Sequence, residues 1–156
     1  MTIRLNVVFI FSFFVFFSGC NNSTPSSPNE QKPGTIRLSV SGVPQFNNHA
    51  VWYSIWDSCD AITGKPLGEA QGVGYFQVQN GTGSSLCLSA DAKGVKSFQP
   101  GKYFPFYFAD MNDNFLAINT ADSGDYVGGG SNYAIVVDGD VEKRLTGEDF
   151  FGPYSN

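Results

Sequence analysis

Residues 50–56 read AVWYSIW, the stretch from which the fold of this chain is most directly predicted. Five of the seven residues are β-branched or aromatic, which favours a strand. Successive side chains of a strand point to opposite faces of the sheet. The two faces here are Val51, Tyr53 and Ile55 on one side and Trp52, Ser54 and Trp56 on the other. At least one of these faces must be covered by a core, so the stretch predicts one strand of a packed sheet.

A second aromatic stretch, KYFPFYFAD at residues 102–110, predicts another strand. Proline has no N–H to donate to a neighbouring strand, so Pro105 predicts that this strand lies at a sheet edge or is bulged. Alternation separates Tyr103 and Tyr107 from Phe104, Phe106 and Phe108.

The rest of the chain from residue 35 shows strand periodicity and no convincing helix. Asn80-Gly81 is a strong hairpin signal between two of the strand candidates. About seven short strands without intervening helices predict an all-β fold, a single antiparallel β-sandwich of Ig-like or transthyretin-like architecture, with a small barrel as the alternative. The other strand candidates are residues 35–41, 72–79, 84–90, 115–119 and 133–137.

Residues 100–130 carry a short pattern of their own. They read PGKY, a hydrophobic strand, DMNDN at 110–114 and SGDYVG at 123–128. The segment resembles small transthyretin-like or Ig-like sandwich domains of secreted bacterial proteins, in which G-x-Y opens a strand that ends in D-x-(D/N)-x-(D/N). The resemblance implies an accessory domain of a kind that is rarely catalytic.

The first twenty residues have the layout of a secretory signal peptide. Arg4 supplies positive charge, residues 7–17 are apolar except for Ser12, and the small residues Ser18 and Gly19 follow. The apolar run of 11 residues is shorter than the roughly 20 that a membrane-spanning helix needs. A cleaved signal is therefore favoured over a transmembrane helix.

Phe17-Ser18-Gly19-Cys20 resembles the bacterial lipobox, whose usual form is Leu-(Ala/Ser)-(Gly/Ala)-Cys. The resemblance identifies the chain as a bacterial lipoprotein. It implies a diacylglycerol anchor on the Cys20 thiol, cleavage before Cys20, and acylation of the new amino terminus with a fatty acid such as palmitate. An ordinary cleaved signal and an uncleaved anchor are the alternatives.

The expected organisation has three parts. A signal peptide occupies residues 1–19, the lipidated Cys20 and a flexible Ser/Pro/Asn-rich tether occupy residues 20–34, and a β-sandwich domain occupies residues 35–156. Such a protein is held on a membrane of the bacterial cell envelope, on the periplasmic or the cell-surface side. Its partners are the membrane, through the lipid anchor, and an envelope protein or a glycan.

Composition and charge exclude several functions. The chain carries a net charge of −5 and a basic patch is missing from the sequence, so nucleic acid is not an expected partner. His49 is the one histidine, and no serine or cysteine has a recognisable activating motif around it. We therefore expect no enzymatic activity.

Two cysteines remain beyond Cys20. Cys59 and Cys87 would close one loop if they formed a disulfide, as the oxidising environment of an exported domain permits. Two free thiols that lie too far apart to bond are the alternative.

The acidic loop is a candidate site for structural calcium. Asp110, Asn112 and Asn114 are spaced by two residues, and Asp122 and Asp125 follow close behind. Oxygens with this spacing can converge on a hard cation. An Asn/Asp-rich loop whose side chains cap their own backbone is the alternative.

The aromatic faces are the candidate binding site. Trp52 and Trp56, with Tyr103 and Tyr107, would form a ligand-binding platform if their faces are exposed. Two non-catalytic functions follow from such a face. The first is protein interaction or envelope assembly, through the aromatic face or an edge strand. The alternative is a carbohydrate-binding module that uses an exposed Trp/Tyr face.

Overall fold

The computed structural model describes residues 31–118 and 120–154, and for residues 117 and 118 it describes the backbone alone. The signal peptide predicted at residues 1–19, the lipidated Cys20 and most of the predicted tether lie outside the described residues. Across the described residues, no helix is long and apolar enough to cross a membrane.

Within the described residues, nine strands form two sheets that pack face to face, which confirms the predicted all-β sandwich. One sheet has three strands in the order β4-β1-β9, and the other has six, in the order β5-β3-β2-β6-β7 with β8 also paired to β6. The strands are β1 (Ile36–Val40), β2 (Ala50–Trp56), β3 (Gly72–Gln77), β4 (Gly83–Leu86), β5 (Leu88–Ser89), β6 (Gly101–Asp110), β7 (Tyr126–Gly129), β8 (Ile135–Val137) and β9 (Val141–Leu145).

The core lies between the two sheets. On β2, Val51, Tyr53 and Ile55 are buried, so the alternation predicted for residues 50–56 is confirmed and its Val/Tyr/Ile face is the inner one. Strand β1 contributes Leu38 from the opposite sheet, with none of its surface exposed. Burying an aliphatic side chain of this size stabilises the fold by about 1.5–3 kcal/mol. The other face of β2 is therefore free to form a site on the outside of the sandwich.

One strand pair departs from the antiparallel prediction. Strand β9 runs parallel to β1, from Ile36 beside Val141 to Val40 beside Leu145. Residues 141–145 read VEKRL, and the charged residues in the middle hide the strand pattern. The C-terminal strand thus closes the smaller sheet beside its first strand.

Strand β6 is central, so the edge position predicted from Pro105 is wrong. The strand pairs with β2 along one side and with β8 and then β7 along the other. Residues 101–103 pair with β8, and residues 106–109 pair with β7. Pro105 lies in the gap between these two partner strands. The Pro105 carbonyl accepts a hydrogen bond from the Gly130 N–H on this same side. A residue without an N–H is tolerated here because the neighbouring strand changes.

The strand predicted at residues 115–119 is wrong, because Phe115–Ile118 forms one helical turn. The carboxylate of Asp110 accepts hydrogen bonds from the N–H groups of Asn114 and Phe115, at 3.2 and 3.1 Å. Side-chain oxygens that accept from the first free N–H groups favour a helical turn over an extended strand.

The turn predicted at Asn80-Gly81 is confirmed, but the strands on its two sides do not pair as a hairpin. Both residues have positive φ angles, 52° and 71°, as a two-residue type I′ turn requires. Gln79 and Thr82 exchange two backbone hydrogen bonds across the turn. The turn connects β3 of one sheet to β4 of the other, and so joins the two layers.

The folded unit begins slightly before the predicted boundary at residue 35. The Lys32 N–H donates to the Asp138 carboxylate, and the Lys32 carbonyl accepts from the Gly139 N–H. Gly34 then pairs with Phe98. The compact unit accordingly starts at Gln31.

The possible disulfide between Cys59 and Cys87 is not formed, and both thiols are free, as the alternative predicts. Cys87 is fully buried between β4 and β5, where its thiol contacts the Val73 and Leu88 carbonyls. Cys59 is half-buried in the loop after β2, in a bridge with Pro66. The two cysteines belong to separate local pairings, which explains why they remain unbonded.

A candidate binding groove on the outer sheet face

The outer face of the six-stranded sheet is aromatic. Trp52 and Trp56 project from β2 on this face, because Val51, Tyr53 and Ile55 take the inner one. The register between β2 and β6 places Phe108 beside Trp52 and Phe104 beside Trp56. Cross-strand neighbours share a face, so the phenylalanines of β6 belong with the tryptophans of β2.

The predicted pairing of Trp52 and Trp56 with Tyr103 and Tyr107 is therefore wrong. Tyr107 is opposite Tyr53 and points into the core, with 2% of its surface exposed. Its hydroxyl donates to the Asp149 carbonyl at 3.0 Å, and burial raises the pKa of the phenol. Tyr103 is half-buried, and its hydroxyl donates to the Gln99 carbonyl.

A groove of about 710 Å³ runs along this outer face. Its floor is formed by Trp52, Trp56, Phe106 and Phe108, and no charged side chain lines it among the described residues. Smaller apolar side chains from β3, β5 and β7 form its sides, namely Val73, Leu88 and Val127. The volume and the apolar lining are typical of sites that bind small molecules or a few apolar side chains.

Trp52 contacts two aromatic rings. The Tyr75 ring of β3 stacks on it at 4.6 Å between centroids and 24° between planes. The Phe115 ring lies 4.4 Å from it and also contacts Phe108 on the opposite side, in β6. Trp52 therefore contacts two other rings, which reduces the indole surface that is left for a ligand.

Trp56 is oriented by its neighbours. Its indole N–H donates to the Ser54 hydroxyl oxygen at 2.8 Å, along the same strand face. The Phe106 ring meets it edge-on, at 6.5 Å and 83°. These contacts hold the indole in one orientation at the end of the groove.

The acidic loop brings together all five of the residues expected to bind calcium, through hydrogen bonds. Asp125 is fully buried and accepts from the Met111 and Asp122 N–H groups, at 2.9 and 3.0 Å. Asp122 accepts from the side-chain amides of Asn112 and Asn114, both at 2.9 Å. These amide hydrogen bonds, with that from Asn114 first, lower the pKa of the Asp122 carboxyl.

This arrangement does not support the calcium expectation. Asp110 and Asp125 accept hydrogen bonds from backbone N–H groups, and the amides of Asn112 and Asn114 point their donors at Asp122. Within residues 31–118 and 120–154, no group of three or more His, Cys, Asp or Glu side chains is placed to hold a metal ion. These contacts agree with the self-capping alternative, while the calcium site stays a prediction, and the loop positions Phe115 over the groove.

His49 is paired with a carboxylate at the same end of the sheet. Its Nδ1 lies 3.5 Å from the Asp113 Oδ1, and Asp113 is mostly exposed. The pair joins the loop before β2 to the turn that carries Phe115. It lies outside the groove lining.

Comparison with known proteins places the chain in no family. No family model matches it, and neither a curated protein nor a solved structure is similar enough to be counted as a match.

Proposed function

We propose that this protein is a lipid-anchored, non-catalytic binding module of the bacterial cell envelope, and that its outer groove receives the apolar side chains of a partner protein. The observation that carries the proposal is the uncharged aromatic groove of about 710 Å³ on the free face of the larger sheet. The anchor is inferred from the lipobox-like Phe17-Ser18-Gly19-Cys20.

The chemistry of the groove selects the ligand. A carboxylate placed against Trp56, Phe106 and Phe108 would lose its hydration without gaining a partner, because no charged side chain of the described residues lines the groove. Apolar side chains gain about 25 cal/mol for each Å² that they remove from water. Aromatic residues in such a position are the usual anchors of protein interfaces.

A carbohydrate ligand fits less well. Sugar rings stack on the free faces of aromatic residues, and Trp52 already stacks with Tyr75 and contacts Phe115. The indole N–H of Trp56 is already donated to Ser54. Among the described residues, the groove lining also has no charged side chain that could hydrogen-bond sugar hydroxyls. The geometry therefore favours the protein-interaction function over the carbohydrate alternative.

The groove is tested by selecting peptides from a random library on the mature protein and measuring their affinity for matched variants. Tyr75→Ser removes an exposed ring from the groove, while Gln77→Ser changes an exposed residue of the same strand that lies outside it. We expect the selected peptides to be rich in aromatic and aliphatic residues. Tyr75→Ser should weaken them about tenfold, and Gln77→Ser should not.

Two outcomes would contradict this function. Equal binding to the two variants would place the peptides outside the groove. Binding of oligosaccharides instead of peptides, lost in Tyr75→Ser, would establish the carbohydrate alternative. The anchor is tested separately, by labelling cells with radioactive palmitate. The wild-type protein should be labelled and Cys20→Ala should not.

A further inference from the structure

The strand register places several loops at the end of the sandwich where the chain enters it. Lys32 pairs with Gly139, and Gly34 pairs with Phe98 just before β6 begins. Strand β2 ends beside the start of β6, and β3 begins beside the end of β2. We call this region the entry end, formed by residues 32–34, 57–71, 90–100 and 138–140. The opposite loops, residues 41–49, 78–82, 111–125 and 146–154, form the far end.

The loop after β2 holds an isoleucine out into solvent. Ile62 is 95% exposed at the tip of the loop. The turn beneath it is fixed, because the Asp60 carboxylate accepts from the Ile62 and Thr63 N–H groups and from the Thr63 hydroxyl. Leu67 of the same loop is 48% exposed. One exposed apolar side chain is common on protein surfaces. Here two lie in one hydrogen-bonded loop, with Lys65 between them in sequence.

Charge differs sharply between the two ends. The far end contains no lysine or arginine and carries Asp113, Asp122, Asp125, Glu148 and Asp149. Five of the six lysines lie at the entry end or next to it, namely Lys32, Lys65, Lys93, Lys96 and Lys102. The entry end also has carboxylates, at Asp57, Asp60, Glu69, Asp91, Asp138 and Asp140.

Most of the entry-end carboxylates are already occupied within the fold. Asp60 braces its own turn, and Asp91 pairs with Lys93 at 3.1 Å. Asp138 and Asp140 accept from the backbone N–H groups of Lys32 and Thr35. Lys65, Lys96 and Lys102 form no salt bridge among the described residues. The entry end thus presents ammonium groups beside apolar tips, and with five lysines against six carboxylates it is the less negative of the two ends.

We propose that the entry end rests on a phospholipid surface, with Ile62 and Leu67 in the boundary between headgroups and acyl chains and the nearby lysines against lipid phosphates. Apolar tips flanked by lysines are suited to this boundary, where long basic side chains reach the headgroups. The far end, which is purely acidic, then faces away from the anionic surface. The orientation rests on the proposed anchor at Cys20, since the chain reaches the domain at this end.

The contact is tested by flotation of the mature chain carrying Cys20→Ser with vesicles of phosphatidylethanolamine and phosphatidylglycerol. The substitution removes the acyl anchor, so the surface contact is measured alone. Ile62→Ser is compared with Leu116→Ser, which changes a side chain that is 85% exposed at the far end. We expect Ile62→Ser to lower vesicle partitioning about tenfold and Leu116→Ser to leave it unchanged. Lys65→Gln should lower it about fivefold at low salt.

Equal partitioning of the Ile62→Ser and Leu116→Ser proteins would overturn the proposal, and so would failure of the parent protein to float with the vesicles. Because this chain lacks the Cys20 thiol, neither result depends on lipidation. Mass spectrometry of the Cys20 protein from cells shows independently whether the anchor is present. Peptide binding to the groove is measured in solution, so each proposal can fail without the others.

Discussion

Asp125 is the residue through which the loop over the groove can be tested most sharply. Its carboxylate is fully buried and accepts two backbone hydrogen bonds, from Met111 at 2.9 Å and from Asp122 at 3.0 Å. Asp125→Asn keeps the shape of the side chain but replaces one acceptor oxygen by an N–H₂ group. One buried backbone N–H would then face another donor.

The expected loss of stability follows from these two hydrogen bonds. A hydrogen bond to a charged group contributes about 1.5–3 kcal/mol, and an unsatisfied buried polar group costs about 1–3 kcal/mol. We therefore expect Asp125→Asn to lower the free energy of unfolding by about 2–3 kcal/mol. That is a large fraction of the roughly 5–15 kcal/mol by which domains of this kind are stable.

Urea unfolding followed by tryptophan fluorescence is the assay. Trp52 packs against Phe115 of this loop, so its fluorescence reports the loop as well as the fold. Asp113→Asn is the matched control, because Asp113 is mostly exposed and its contact with His49 is 3.5 Å. Its effect should be below about 0.5 kcal/mol. An Asp125→Asn protein as stable as the wild type would refute the description of Asp125 as the brace of this loop.

Three further predictions concern the rest of the fold. Gly129→Ala should prevent folding or lower stability by at least about 3 kcal/mol, measured by urea unfolding, because Gly129 has a φ of 114° and a Cβ would collide with the Pro105 carbonyl. Calcium and EDTA should give the same melting temperature, since all the carboxylate oxygens of Asp110, Asp122 and Asp125 accept hydrogen bonds from the protein itself; a shift of several degrees would restore the calcium site. Stability should fall above pH 9, because burial raises the pKa of the Cys87 thiol to about 12. The unfolded chain therefore loses this proton at a lower pH than the folded protein does. As a result, the free energy of unfolding drops by about 1.4 kcal/mol per pH unit. Cys87→Ala should flatten this slope in urea titrations between pH 9 and 10 and Cys59→Ala should not; equal slopes would contradict the burial of Cys87.

Local pattern was sufficient to predict the individual strands and their faces. The alternation in residues 50–56 separates Val51, Tyr53 and Ile55 from the tryptophans, and the structure has the same division. The Asn80-Gly81 turn is equally local, because positive φ at both residues is a property of these residue types. The all-β sandwich follows from such signals repeated along the chain.

Pairing between strands could not be predicted, and the errors about the site come from it. Which face of β6 joins the tryptophan face depends on the register, and a shift of one residue would exchange Tyr107 for Phe106 or Phe108. The change of partner at Pro105 and the parallel pair of β1 and β9 depend on residues far apart in the chain. None of these features can be predicted from a short stretch of sequence.

For the acidic loop as well, the short-range sequence pattern is not enough to predict what the side chains bind. The spacing of Asp110, Asn112 and Asn114 suits a cation and suits backbone capping equally well. The choice is made by the N–H groups of the helical turn that begins at Phe115, and those become visible only once the turn is formed. Phe115 itself, which covers Trp52, was predicted in a strand and so was missing from the predicted site.

The central claim is that the aromatic groove binds apolar side chains of a partner, and the indole N–H resonances of the two tryptophans test it most directly. Both tryptophans line the groove, so a selected peptide titrated into ¹⁵N-labelled protein should shift both signals in a saturable manner. The shifts should be strongly reduced in Tyr75→Ser and retained in Gln77→Ser. If the peptide binds while both indole signals stay in place, the partner is received elsewhere on the molecule and the groove is not the site.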